Sequence, residues 1–401
     1  MEMELVASKI RRPAQTPTLK YLYKMFSIWE QETVLAPVDV AIAGGGFAGF
    51  WTAFHLRRRY PKARIALLEK ELLPMGASTR NAGFACFGSL GELVADEAEL
   101  GTEGMQRLVE IRYKGLRQIE KWFEPKCIDL DWCGGYELFP PGSVSKEKLE
   151  HDLDHINSTL KDITGKRRSF RNATGRIHRF RFGGTEHMVF NRLEGALHSG
   201  KLAALLLRTL QATGVQWMPG VAVTGFVEKN DTVEIQTAAG FQLNARNLVV
   251  ANNTAAASLL PGISVTPARG QVLLTSPIND LRWSGTFHAD EGYYYFRNLG
   301  NRVLLGGARN KAFDAERTDE RVTTSLIQDE LERFLDEVVL PGKKNTYSIE
   351  HRWSGIMGMG EEKGPVVRAV RPNVFAAVAL GGIGVAVAPE AGKRISKMIQ
   401  L

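Results

Sequence analysis

Apolar positions cluster and alternate along this chain in a pattern that sets its first elements. Val38-Asp39-Val40-Ala41-Ile42-Ala43 is an apolar run of strand length, and residues 50–59 space their apolar positions as a helix does. Between them lies Gly44-Gly45-Gly46-Phe47-Ala48-Gly49, so the stretch predicts strand, tight turn and helix. A second apolar run, Arg64-Ile65-Ala66-Leu67-Leu68, ends on Glu69 and Lys70 and completes a βαβ unit. Further along, residues 193–210 have helical periodicity, and residues 214–218, 222–227, 232–237 and 248–251 predict strands that run antiparallel until the last. Residues 293–297 and 302–307 predict a hairpin closed by a four-residue turn, Asn298 to Asn301. Residues 323–338 predict an amphipathic helix and residues 385–399 a final one. The longest uncharged run, 372–389, is broken by Gly381, Gly382 and Gly384, which argues against a membrane helix.

The glycines have distinct physical roles. Gly44, followed by Gly45, permits the tight turn, Gly46 removes a side chain that would block a pyrophosphate, and Gly49 lets the helix pack closely on the strand. The helix opening at Phe47 and Ala48 then offers free N–H groups and a favourable dipole to phosphates. Glu69, twenty residues after Gly49, is placed to accept hydrogen bonds from a ribose, and its charge disfavours a 2′-phosphate. The unit predicts a dinucleotide site, and the glycines by themselves leave FAD and NAD both open.

Length and charge refine this. At 401 residues, 44% of them hydrophobic, the chain predicts two domains rather than disorder. The 51 Lys+Arg against 44 Asp+Glu give a formal charge of +7, which opens nucleic acid, anionic membrane or an acidic ligand as partners. Yet Lys166, Arg167, Arg168, Arg171, Arg176, Arg179 and Arg181 lie in one stretch free of carboxylates and equal the whole excess. The charge is therefore local, a solvated face or a steering patch, and neither nucleic acid nor membrane is the expected partner. Cys86, Cys127 and Cys133 form neither a disulfide framework nor a metal motif, and the first residues lack a secretory signal, so a reducing, cytoplasmic location and no metal are expected.

At Gly76-Ala77-Ser78-Thr79-Arg80-Asn81-Ala82-Gly83 the sequence resembles the D-amino-acid oxidase-like family of FAD enzymes, which includes glycine oxidase and sarcosine oxidase. Further matches follow in order at Pro267-Ala268-Arg269-Gly270-Gln271-Val272, at the 293–307 hairpin and at Gly381-Gly382-Ile383-Gly384-Val385-Ala386. With Ser27-Ile28-Trp29-Glu30 and Trp353-Ser354-Gly355-Ile356-Met357-Gly358, the pattern is most similar to the γ-glutamylputrescine oxidase-like branch, over about residues 27–398. The resemblance implies FAD and an α/β (α+β overall) fold: a Rossmann-like FAD-binding domain interleaved with a substrate domain on a mixed or antiparallel sheet. Residues 36–90, 191–265 and 350–401 would bind FAD, residues 91–190 and 266–349 would form the substrate domain, and residues 1–35 would be an N-terminal extension.

By resemblance, Ser78, Thr79, Arg80 and Asn81 hold the flavin pyrophosphate and ring edge, while Ala82 and Gly83 leave room for the ring. The alternative there is an ordinary N-capped helix starting at Ser78. Val223 and Ala251 would lie beside the adenine. Gly382, Ile383, Gly384, Val385 and Ala386 would bring a helix N-terminus to the reduced ring. The implied activity is oxidation of a carbon bearing an amine, with oxygen or another electron acceptor, and a small-molecule amine as the partner. Tyr293, Tyr295, Arg297 and Trp353 are candidates for the substrate wall. The family's carboxylate-binding Arg is replaced by Met357, which favours a primary or secondary amine over an α-amino acid, the alternative substrate class. A flavoprotein acting on RNA is a further alternative that rests on the basic stretch. Leu304 stands where sarcosine oxidase-like members carry a lysine for oxygen, and no tethering Cys or His is found at 353–358 or 76–83, which implies non-covalent flavin. Cys86, His288 and His351 lie close to site segments and read as structural residues.

Overall fold

Strand Val38–Ala43 lies inside the first of two eight-stranded sheets in the computed structural model, which describes residues 26–401. Residues 1–25 of the expected N-terminal extension lie outside the described residues. Val38–Ala43 pairs in parallel with Ile65–Glu69 on one side and with Gln242–Val250 on the other. Gln216–Pro219 and Val374–Val378 extend the parallel set outward. An antiparallel ribbon, Val223–Lys229 with Thr232–Thr237, joins through Gln242–Val250. The central residues Val40, Ala41 and Ile42 are fully buried, as an apolar strand covered on both faces requires.

The second sheet runs in the order Ile349–Met359, Thr266–Thr275, Arg302–Gly307, Tyr294–Leu299, Thr286–Ala289, Gly135–Phe139, His187–Asn191, Phe170–Asn172. All its pairs are antiparallel except Thr286–Ala289 with Gly135–Phe139. The fold is thus mixed α/β, a parallel sheet beside a mixed one. The sequence boundary drawn at residue 350 falls within strand Ile349–Met359, which belongs to the second sheet.

Helices Phe47–Arg59, Leu90–Trp122, Ser199–Ala212 and Gly384–Met398 share one apolar core over the first sheet. They approach through glycines. A Cβ at Gly115 would stand 1.7 Å from the Ala386 carbonyl oxygen, and one at Gly392 would stand 2.5 Å from the Thr52 nitrogen. The C-terminal helix is therefore seated against two helices that precede it by more than 250 residues, a topology that predicts slow folding.

Several elements differ from the sequence expectation. Gln216–Pro219 is parallel to its neighbour, because the chain reaches it through the crossover helix Ser199–Ala212. The expected helix over 193–210 begins only at Ser199, where His198 Nδ1 accepts from Lys201 N, and Gly195–Ala196 is instead a strand against Phe84–Ala85. The hairpin turn has two residues, Gly300 and Asn301, not four, since Leu299 pairs Arg302 and Gly300 takes a φ of +62°. The helix over 323–338 is α-helical only over Ser325–Phe334 and finishes as a π turn, Leu335–Val339. The uncharged run at 372–389 is a strand, a turn and the start of a helix, and no helix among the described residues is long and apolar enough to cross a membrane.

Replacing Gly115 by Val forces the Leu90–Trp122 and Gly384–Met398 helices apart. We expect a loss of about 3 kcal/mol, read from the denaturant midpoint; an unchanged midpoint would show that the helices are not held this closely.

Candidate functional site

The glycine turn is built as its sequence demands. Gly44 has a φ of +120°, and a Cβ there would meet the Ala251 carbonyl oxygen at 2.4 Å. A Cβ at Gly49 would stand 1.9 Å from the Gly44 oxygen, so the helix packs on the turn without side chains between. Gly45 N donates to Glu69 Oε2 at 2.8 Å, and Glu71 N donates to Oε1 at 3.0 Å, fixing that carboxylate at the strand end. Lys70 beside it is half exposed. Ala251 N donates to Ala43 O at 2.8 Å, and the next residue, Asn252, keeps a buried Oδ1 without a partner among the described residues. Val223 follows Val221, whose N–H donates to Glu69 O. Glycine turn, anchored carboxylate and unpaired amide oxygen at the C-terminal ends of three neighbouring parallel strands fit a dinucleotide.

The segment after this unit locks the two sheets together. Ala77–Thr79 is a single 3-10 turn, not the start of a helix. Ser78 Oγ accepts from Phe47 N at 2.8 Å, at the mouth of the helix that would face the phosphates, and Thr79 Oγ1 donates to Pro74 O. Arg80 Nη1 donates to Ser354 O at 2.8 Å while Arg80 O accepts from Trp353 Nε1 at 2.9 Å, a reciprocal clasp on the second sheet. Asn81 Nδ2 donates to Ala77 O and Ser78 O, and its Oδ1 accepts from Gly83 N and Ser199 Oγ. Ala82 is buried, and Gly83 has a φ of +75° with Leu197 O only 2.2 Å from where a Cβ would be. Arg297 Nη1 donates to both Gly83 O and Leu197 O, at 2.8 and 2.9 Å. The guanidinium groups of Arg80 and Arg297 thus hold backbone oxygens around the loop, each with donors to spare.

Strand alternation decides which aromatics meet. Tyr295 and Trp353 pack with Ala82, Val272, Leu274 and Leu304, whereas Tyr294 and Phe296 point into the core on the other face. Tyr293 packs with Phe313 and that core, away from Tyr295. Gly270 leaves space between two side chains: a Cβ there would lie 3.4 Å from Met357 Cε and 3.8 Å from the Tyr295 hydroxyl. Met357 Sδ approaches Gly382 from the other side, so this wall meets the turn Gly381–Ile383 that opens helix Gly384–Met398. No side chain caps that helix at Ile383, while Val385 and Ala386 are buried behind it. Trp353, Thr79 and Arg80 also border a cavity of about 540 Å³, lined otherwise by apolar residues such as Leu73, Ala203 and Leu207. Burial raises the Tyr295 hydroxyl to about 12. Arg309, two residues beyond the hairpin, lies over Phe313 and has no carboxylate partner among the described residues; burial lowers its pKa.

A buried polar group adjoins this wall; the sequence singled out its Cys86 and His288 but not its Glu194. His288 pairs across the strands with Tyr295, and the Phe84 ring is edge-on to both, at 5.2 and 5.9 Å. His288 Nε2 lies 2.6 Å from Glu194 Oε1, and Cys86, Glu194 and His288 each bring a ligand atom within 4.8 Å of the others. Burial opposes a charged imidazole, yet Glu194, with Glu137 and Glu92, raises the His288 pKa overall. Burial and then Glu194 push the Cys86 thiol well up. His351, by contrast, is exposed. Glu92, Glu137 and Glu194 carry no local motif; only the folded sheet gathers them. Glu137 accepts from Ser89 Oγ and Gly91 N, and burial still raises its carboxyl from 4.5 to about 7. Its raised pKa means that folding favours the protonated form. That stabilisation is complete below pH 4.5 and is lost as pH rises through 7. Glu137→Gln should remove a loss of order 3 kcal/mol across that window, measured as denaturant midpoint against pH; the same slope in both proteins would refute it.

A family model described as FAD dependent oxidoreductase matches residues 39–398. A probable oxidoreductase OrdL of Rhizobium meliloti (strain 1021) is 26% identical over 377 residues, 90% of this chain and 82% of that protein. Glycine oxidase from Geobacillus kaustophilus superposes with a TM-score of 0.72 at 22% identity, over 90% of this chain and 94% of that one. L-proline dehydrogenase from P. horikoshii gives the same TM-score at 16% identity, over 90% and 92%. These structures share the fold, and the family model spans both sheets and the glycine turn that fits a dinucleotide. The chain belongs to the FAD-dependent oxidoreductase family and is an oxidoreductase.

Proposed function

We propose that this protein oxidises the C–N bond of a primary or secondary amine, polyamine-like or N-alkyl, using non-covalently held FAD. The observation that carries this reading is Met357, which meets Tyr295 across Gly270 with no cation at positions 355–358 to clamp a carboxylate. The names of the structural neighbours, glycine oxidase and L-proline dehydrogenase, support C–N oxidation as the chemistry. When bound, FAD supplies the two-electron oxidant that takes a hydride from the carbon bearing the amine, leaving an imine that water hydrolyses to a carbonyl and a free amine.

The chain's own residues would shape that event. Tyr295, Trp353, Leu304 and Ala82 form an apolar wall that excludes water. Gly44 to Gly49, Glu69 and Ser78 would hold the adenosine and pyrophosphate, and Val223 and Ala251 would flank the adenine. The uncapped N-terminus of Gly384–Met398 favours negative charge beside Met357. Leu304 in place of a lysine supports an acceptor other than oxygen. Free Cys86, Cys127 and Cys133 support a reducing, cytoplasmic setting.

A second reading, oxidation of an α-amino acid, has Arg309 in its favour, because its half-buried guanidinium lacks a carboxylate. Anaerobic mixing with polyamines, N-alkyl amines and amino acids separates the two. At least one amine without a carboxylate should bleach the flavin; bleaching by amino acids alone would overturn the first reading. Acid precipitation should release the yellow colour into solution, and colour retained by the pellet would mean a covalent link. Glu69→Ala should weaken FAD binding at least tenfold, about 1.4 kcal/mol, in reconstitution of the apoprotein followed by flavin fluorescence.

A further inference from the structure

Among the buried polar groups that lack a partner within the described residues, Glu194 is a carboxylate whose hydrogen-bond partner His288 is the cross-strand neighbour of Tyr295. Its residue is 1% exposed, and its Oε1 is fully engaged, accepting from Thr286 Oγ1 at 2.7 Å and meeting His288 Nε2 at 2.6 Å. Its Oε2 is buried with no partner among the described residues. Gly135 makes the space for this carboxylate, since a Cβ there would lie 2.3 to 2.7 Å from its three outer atoms. A buried carboxylate oxygen without a protein partner is strongly unfavourable, so Oε2 calls for a donor or a cation.

The surroundings select a cation. Glu137 and Asp96 are buried nearby and Glu92 is partly buried, and the cations that face them are Arg112, bound to Glu92 and Asp96, Lys363, bound to Asp96, and His288 itself. Lys363 is shared with the exposed Glu99 at the surface. Glu194, Glu137 and Glu92 all act on His288, so the surroundings are acidic. A divalent metal is the poorer match: His288 and Glu194 are already in direct hydrogen-bond contact, and a metal would need the Cys86 thiolate, whose formation burial and Glu194 oppose. An ammonium brings three donors and asks for no deprotonation. The location also fits, because His288 is the cross-strand neighbour of Tyr295 and Cys86 follows Phe84, whose ring touches both.

We propose that Glu194 Oε2 anchors a second ammonium group of the substrate, beyond the reacting amine, which makes the substrate class a diamine or polyamine. This rests on the amine-oxidation reading above. It assigns Glu194 as a binding residue that sets specificity, with Thr286 and His288 holding its other oxygen.

The test is flavin reduction by the FAD-loaded enzyme with linear monoamines and α,ω-diamines of matched chain length. The wild type should prefer the diamine, by kcat/KM, at least tenfold at the best length. Glu194→Gln should cut that preference ratio at least tenfold. Should Glu194→Gln fail to fold, Glu194→Asp keeps the charge and should move the preferred diamine about one methylene longer. Equal use of monoamines and diamines by the wild type overturns the proposal while amine oxidation stands, as does an unchanged ratio in Glu194→Gln or an unchanged length optimum in Glu194→Asp. Stoichiometric zinc in the purified enzyme that is lost in Cys86→Ala overturns it in favour of a metal. If no amine bleaches the flavin, both readings fall together.

Discussion

The close contact of the C-terminal helix with its two neighbours is the constraint on which the rest depends. Gly115 and Gly392 remove the two side chains that would hold it off, so backbone meets backbone at Ala386 and Thr52. With the helix axis fixed, its first turn is fixed too, and Gly382 comes to lie beside Met357 of the second sheet. Residues separated by most of the chain thereby border one site. Burial of Val385, Ala386 and Ala388 in the shared core then holds this arrangement against thermal motion.

Polar clasps complete what packing begins. Arg80 donates through its side chain to Ser354 O and accepts at its backbone oxygen from Trp353, and Arg297 gathers two carbonyl oxygens from separate segments. Such bonds are directional, so they set the distance between the loop at 76–83 and the second sheet more sharply than apolar contact does. Arginine suits this task because its planar donors remain charged at any relevant pH. The same residues could not be told from ligand-binding cations without their acceptors in view.

The sequence made legible whatever is encoded locally. The βαβ unit, Gly44, Gly46, Gly49 and Glu69 obey short-range rules, and the strand and helix boundaries there agree with the structure to within a few residues. The pairing of Gln216–Pro219 was not legible, since direction is decided by the crossover helix and not by the strand's own pattern. Tyr293 and Tyr295 read alike in sequence, yet Tyr293 precedes strand Tyr294–Leu299 and packs against Phe313, whereas Tyr295 within the strand enters the apolar wall. Glu194 fell inside the 193–210 stretch that the sequence reads as helix, and its significance arises only from Thr286, His288 and Gly135 on other strands.

The basic stretch has a consequence for self-association. Phe170–Asn172 forms one rim of the second sheet, with Arg171 on it and Lys166, Arg167, Arg168, Arg176, Arg179 and Arg181 exposed around it. A strand rim offers unpaired backbone groups to any other strand, and a second molecule approaching here would bring the same positive charges into contact. The charge surplus of the whole chain is thus concentrated at one sheet rim, where like charge opposes edge-to-edge pairing of two copies.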